Sequence, residues 1–135
     1  MIGLLIDADL LGHRQALIGL LQAPARRELW EFLDCHLPTF EELDLPFESP
    51  DLLVWETAQR ENLVLLTANR NESGPDSLGQ VLRRLNGLDS LPVITLISPQ
   101  RFQEDHAYAN RAADRILEIL FDLDKLKGAG RLWVP

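Results

Sequence analysis

The sequence predicts an α/β domain whose central sheet is mostly parallel and covered by helices on both faces. Three short apolar runs bounded by polar residues, Ile2 to Ile6, Leu63 to Leu66 and Pro92 to Ile97, are typical of strands buried on both faces. Segments with helical spacing of apolar residues separate these runs. Strands joined in this way form right-handed crossovers, so the prediction is a three-layer α/β/α architecture.

The first half of the chain carries two helical patterns after the first strand. One begins at Asp9, a candidate N-cap, and is interrupted by Pro24. The next covers Arg26 to Asp34 and is ended by Pro38, because proline cannot continue a helix. The segment from Thr39 to Leu43 is expected to be a short strand or an extended crossing.

The second half begins with a strong helix-start signal at 49–51. Ser49 is a good cap, Pro50 suits the first helical position, and Asp51 complements the positive end of the helix dipole, so a helix is predicted to about residue 62. A further helix is predicted from Asp76, and a long last helix follows Pro99. Their inward faces are predicted to contain Leu78, Val81, Leu82 and Leu85, and then Ala109, Ala112, Ala113, Ile116, Leu117, Leu120 and Phe121.

Length and composition indicate one domain with a sizeable core, since the chain has 135 residues of which 46% are hydrophobic. We predict a single domain at 1–127 and a short tail at 128–135 whose Trp133 docks on this chain or on a partner. No apolar run approaches the ~20 residues of a membrane span, and the N-terminus lacks a basic signal region. A cytoplasmic protein without membrane contact is therefore expected.

The charge balance argues against simple binding of nucleic acid. Thirteen basic against 21 acidic residues give a net charge of −8, which repels a polyanion over most of the surface. A metal-dependent nuclease is an exception, because bound cations reverse the sign of the charge at its centre. Such an enzyme still needs a basic rim, for which the candidates are Arg70, Arg83, Arg84 and Arg101.

The residues with the best prospects for chemistry follow two predicted strands. Asp7 and Asp9 lie two apart at the end of the first strand, so both side chains can face one side and share Mg²⁺ or Mn²⁺. Alternatively, Asp9 caps a helix while Asp7 accepts hydrogen bonds from loop amides. After the second strand, Asn69 and Asn71 are either turn residues or amide-oxygen ligands.

Other chemistries have little support in the sequence. The three histidines lack the spacing of zinc ligands, and Cys35 is the only cysteine, which excludes an intramolecular disulfide. The sequence contains neither a GxGxxG motif nor a P-loop, so a nucleotide cofactor is not indicated.

Taken together, the ordered motifs resemble the PIN-domain superfamily, in particular the compact bacterial PIN-like proteins and a short subgroup found in cyanobacteria. The resemblance covers roughly residues 2 to 98. It is carried by Leu4 to Asp7, by Ser49 to Asp51 at a helix start, by Leu65 to Asn71, by Gly74 to Leu78 and by Ser90 to Val93.

PIN domains are characteristically Mg²⁺- or Mn²⁺-dependent ribonucleases, so the resemblance implies a carboxylate site acting on single-stranded RNA. Asp7 matches the first-strand acid, and Asp51 matches the acid at the start of the middle helix. The family motif after the second strand is commonly Thr-x-Asp-x-Asp, whose two acids are replaced here by Asn69 and Asn71. This removes two negative charges from a cation site, which Asp76 and Asp9 could restore in part.

Three interpretations follow from the sequence. In the first, a PIN-type hydrolase holds its cation with Asp7, Asp51 and Asp76. Asn69 orients water or phosphate, Arg70 contacts the substrate, and Thr67, Asp9 and Asn71 support the site.

The second interpretation is a PIN-like domain that has lost catalysis and acts as a binding or regulatory module, with a protein partner or as a homodimer. The third is a HAD-like phosphatase using Asp7 and Asp9. The order of charges near the C-terminus opposes it, since Lys125 and Lys127 follow Asp122 and Asp124 instead of preceding them.

Overall fold

The computed structural model, which describes residues 2–135, confirms the predicted fold class. Its four-stranded sheet has the order β1-β2-β3-β4, and every neighbouring pair of strands is parallel. The strands are β1 (Gly3–Ile6), β2 (Leu63–Thr67), β3 (Val93–Leu96) and β4 (Arg131–Val134).

Seven α-helices are present in residues 2–135, together with 3₁₀ segments at Ala8–His13 and Pro24–Arg26. None of these helices is long and apolar enough to cross a membrane. The helices are α1 (Arg14–Leu21), α2 (Arg27–Leu33), α3 (Asp51–Arg60), α4 (Leu78–Leu85), α5 (Pro99–Glu104), α6 (His106–Phe121) and α7 (Leu123–Leu126).

The two faces of the sheet belong to two separate clusters of buried residues. Alternate strand residues such as Leu4, Leu66 and Ile94 pack with α1 and α6. The intervening residues, such as Leu5 and Leu65, pack with α3 and α4. This division follows from the alternation of side chains along a strand, and it produces the three layers.

The segment predicted to be a tail forms the fourth strand instead. β4 pairs with β3 from Val93 opposite Arg131 to Leu96 opposite Val134. Gly128 and Gly130 take positive φ angles of 85° and 80° as the chain enters the strand, a conformation that glycine adopts without strain. The strand is short and its exposed Trp133 faces solvent, which explains why its pattern was too weak to predict it.

Two predicted features at the start of the chain differ from the structure. Asp7, rather than Asp9, is the N-cap, since its carboxylate accepts from the Ala8 amide. The chain then forms a 3₁₀ segment with a non-helical residue at Leu10, so α1 begins only at Arg14. The Asp9 carboxylate does not cap a helix and instead accepts a hydrogen bond from the hydroxyl of Thr67 in β2.

The segment from Thr39 to Leu43 is neither a strand nor an extended crossing. The Thr39 amide donates to the Glu42 carboxylate, and the Glu42 amide donates to the Thr39 hydroxyl. This reciprocal pair has the pattern of a capping box, and it folds the segment into turns.

The ends of three helices also differ from the prediction. The cap of α3 is Pro50, because the Ser49 hydroxyl donates to the Pro46 carbonyl instead of capping. Ser77 caps α4, so Asp76 lies one residue before the cap. Phe121 and Leu85, both predicted to face inward, are 56% and 45% exposed at the ends of α6 and α4.

Candidate functional site

The predicted site residues lie at the carboxyl edge of the sheet, where ligands bind in open α/β folds. Asp7 directly follows β1, and Thr67 ends the neighbouring β2. Since Ile6 pairs with Leu66 in the sheet, Asp7 and Thr67 come next to each other at this edge. α3 begins at Asp51, which places a third carboxylate near this edge.

Asp7 and Asp9 converge on the hydroxyl of Thr67. The Thr67 Oγ1 lies 2.6 Å from Asp7 Oδ2 and 3.2 Å from Asp9 Oδ2. Backbone amides hold each carboxylate further, with Ala8 donating to Asp7 and Ala68 to Asp9. Thr67 has one hydroxyl hydrogen, so it can donate to only one of the two acids at a time. When the hydroxyl donates to one acid, the other acid keeps, within residues 2–135, only the hydrogen bond from its backbone amide donor.

Asn69 supports Asp51 in this arrangement. Its Nδ2 donates to Asp51 Oδ2 at 3.1 Å, and its backbone amide donates to Thr67 Oγ1 at 3.0 Å. Its Oδ1 accepts from the Asn71 amide at 2.9 Å. The amide oxygen that a cation would use thus already accepts one hydrogen bond within the loop, while the amide nitrogen orients the Asp51 carboxylate.

Asp7 has the largest change in acidity among the acids of the site. Burial raises the pKa of Asp7 to about 6, against an opposing hydrogen bond from Thr67, and the negative charges of Asp9 and Asp51 raise it further. Burial also raises the pKa of Asp9, to which the charge of Asp51 contributes. The three carboxylates therefore lie close enough to repel one another.

Arg131 of β4 belongs to the site although the sequence analysis did not identify it. Its Nη1 donates to the Asn69 carbonyl at 2.7 Å and to the Thr95 hydroxyl at 2.8 Å. Its side chain is 7% exposed, and its Nε lies 3.8 Å from Glu72. Arg131 was assigned to a tail, and only recognition of β4 would have placed it on the α3 and α4 face beside β2 and β3.

The remaining predicted residues lie in the loop between β2 and α4. Asp76 is exposed before the cap of α4, and in residues 2–135 no hydrogen bond joins it to Asp7, Asp9 or Asp51. Asn71 is a turn residue whose Oδ1 accepts from the amide and the hydroxyl of Ser73. Arg70 is exposed on the same loop.

The donor set of the site fits a hard divalent cation held mainly by two carboxylates. Within residues 2–135, no three His, Cys, Asp or Glu side chains are grouped closely enough to hold a metal ion together. Mg²⁺ usually keeps several waters and needs only one or two carboxylates together with substrate phosphate oxygens. Asp7 and Asp9, which both reach the Thr67 hydroxyl, provide such a pair.

Comparisons of the chain with protein-family models, curated proteins and solved structures found no match. The resemblance to PIN domains therefore stays a prediction based on short motifs. The function must be inferred from the geometry of the carboxyl edge.

Proposed function

We propose that this chain is a divalent-cation-dependent phosphodiesterase of the PIN type that cleaves single-stranded RNA. The observation that carries the proposal is the convergence of Asp7 and Asp9 on Thr67, with Asp51 close enough to raise the pKa of both acids. Groups with perturbed pKa values at the carboxyl edge of a parallel sheet are favoured candidates for a functional site.

In this proposal, Asp7 and Asp9 hold Mg²⁺ or Mn²⁺. Asp9 thus takes the place of Asp76, which the sequence suggested as a metal ligand. When bound, the cation lowers the pKa of a water and neutralises charge on the phosphate. The backbone amides of Ala8 and Ala68 fix one oxygen of each carboxylate, which limits the rotation of both side chains. The second oxygens both lie near the Thr67 hydroxyl, and in this proposal they are the ones that would hold the cation.

Asp51 has a different role in the proposal. Asn69 binds one of its oxygens, so the carboxylate is oriented while its other oxygen is available to accept a proton from water. Arg131 donates to the backbone carbonyl of Asn69, and the same nitrogen donates to the Thr95 hydroxyl, which helps to hold the guanidinium in place. Arg131 of β4 is therefore a positioning residue: it holds Asn69, and Asn69 in turn holds Asp51.

The test is cleavage of a single-stranded RNA by the wild-type protein, Asp7→Asn and Asp76→Asn, with Mn²⁺ and with EDTA. We expect cleavage to require Mn²⁺ and to fall by about 100-fold or more in Asp7→Asn, because a lost ligand removes most of the metal's contribution. Asp76→Asn is the matched control and should cleave like wild type. Equal rates for wild type and Asp7→Asn would contradict the proposal.

A binding or regulatory module without hydrolytic activity, with a protein partner or a second copy, is the second candidate. It is favoured by Asn69, whose amide oxygen is engaged within the loop in place of an acid of the family motif. RNA binding without cleavage at any Mn²⁺ concentration would select this candidate.

A further inference from the structure

A groove beside the carboxylates has the features of a site for a flat aromatic ring. Its volume is about 470 Å³, which is within the range of small-ligand sites. The lining includes Ile6, which directly precedes Asp7, and Leu11, which lies two positions after Asp9. The same strand end and 3₁₀ segment therefore carry both the carboxylates and the groove.

One wall of the groove is a pair of stacked phenylalanines. The rings of Phe40 and Phe47 have centroids 5.9 Å apart and planes inclined by 29°. Phe40 is buried, whereas Phe47 is 56% exposed and lines the open groove. Phe40 thus supports an aromatic surface on which another ring can stack.

The rim of the groove provides polar groups that can contact the edge of such a ring. Gln15 offers both a donor and an acceptor, and Arg14 anchors one guanidinium nitrogen on the Leu37 carbonyl at 3.1 Å. Arg14 and Glu41 both line the groove, so its lining carries one positive and one negative charge. The groove therefore suits an uncharged ring with hydrogen-bonding edges better than an isolated anion.

The net charge of the chain affects how a single-stranded RNA could be held. With a net charge of −8, the protein gains little from long-range attraction to phosphates. A single-stranded substrate must then be retained by contacts that do not depend on its charge, and stacking of bases on aromatic side chains is the usual one.

We infer that this groove binds a nucleobase of the single-stranded RNA substrate, stacked on Phe47 with its edge toward Gln15 and Arg14. The inference rests on the proposed function, since it identifies how that site recognises RNA. Base stacking next to the carboxylates would then be the main source of the affinity for RNA.

The first experiment measures binding without cleavage. Adenosine and uridine, which carry no phosphate, are titrated into the full chain and followed by methyl NMR in the presence of EDTA. We expect saturable shifts at Ile6, Leu11 and Ile18, which line the groove, and no shifts at Leu88, which is 90% exposed elsewhere. An absence of shifts in the groove, or shifts centred elsewhere, would overturn the inference.

The second experiment compares variants in the Asp7→Asn background, using anisotropy of a labelled RNA 10-mer. Phe47→Ala and Phe47→Leu should each weaken binding by about tenfold, because leucine keeps apolar area but lacks a flat face. Phe32→Ala removes another exposed phenylalanine, which does not line the groove, and should bind like its parent.

The outcomes separate the two proposals. Nucleoside binding in the groove without RNA cleavage by the wild-type protein would retain the base site and reject the nuclease. Metal-dependent cleavage with equal RNA affinity in Phe47→Ala and its parent would retain the nuclease and reject the base site.

Discussion

The two faces of the sheet differ most near the carboxyl ends of the strands. On the α1 and α6 face, apolar residues continue to the strand ends, as with Leu66 and Leu96, which have no exposed surface. On the α3 and α4 face, the buried residues change to Thr67 and Thr95, and the guanidinium of Arg131 lies beside them. The buried threonines at the strand ends therefore lie on the α3 and α4 face, which is the face of the candidate site.

The same difference predicts opposite effects of mutation on stability. The apolar face contributes through burial and packing, so any truncation should destabilise the fold. The polar face holds ionised groups that burial disfavours, so some substitutions there should stabilise the fold while removing function.

The largest effect is expected for Ile94→Ala on the apolar face. Ile94 has no exposed surface, so the substitution should lower the free energy of unfolding by about 2–5 kcal/mol. Urea denaturation measures this change, and Leu88→Ala at a 90% exposed position is the control, expected to have little effect. A small loss for Ile94→Ala would mean that this face is not packed as described.

The next effect concerns Arg131 on the polar face. Arg131→Leu leaves the Asn69 carbonyl and the Thr95 hydroxyl without their donor, and we expect a loss of roughly 1–3 kcal/mol. Arg83→Leu is the comparison, because Arg83 makes an exposed ion pair with Glu72, a class of interaction that contributes below about 1 kcal/mol. Equal losses of unfolding free energy in urea denaturation would show that the buried hydrogen bonds of Arg131 add nothing beyond an exposed ion pair.

A gain in stability is expected for Asp7→Asn at neutral pH. The pKa of Asp7 is raised to about 6 from its usual 3.8, so the folded protein binds this proton more tightly than the unfolded chain. Its contribution is fully favourable below pH 3.8 and is lost as the pH rises to about 6, which leaves ionised Asp7 destabilising at pH 7.5. Removing that charge should add roughly 1–3 kcal/mol at pH 7.5 in EDTA and almost nothing at pH 3.5.

The measurement is urea denaturation of wild type and Asp7→Asn at both pH values. Asp76→Asn again provides the control, since this acid is exposed. A variant that is less stable than wild type at pH 7.5 would show that the hydrogen bonds of Asp7 outweigh its burial.

Much of the polar face could be predicted from sequence because its residues follow strongly apolar runs. Asp7 directly follows one strand and Thr67 ends another, both recognisable by composition, and the parallel pairing of β1 with β2 brings those ends together. Asp51 could be predicted from the helix-start signal at Pro50, even though the cap itself differed.

The missing parts depend on contacts between residues distant in sequence. Arg131 reaches Asn69 only because β4 pairs with β3, and four residues with Val134 as their one buried apolar residue carry too little pattern to predict that strand. The engagement of the Asn69 amide oxygen and the position of Asp76 depend on the loop conformation, which local propensity does not determine.

In the proposed function, the carboxyl edge of the sheet binds a divalent cation through Asp7 and Asp9. The most direct measurement is titration of substoichiometric Mn²⁺ into the ¹⁵N-labelled protein, observed as paramagnetic broadening of backbone amide signals. We predict selective broadening at 7–9 and 67–69, reversal by excess Mg²⁺, and loss of the effect in the double variant Asp7→Asn, Asp9→Asn. Broadening centred elsewhere, or unchanged in the double variant, would contradict the account.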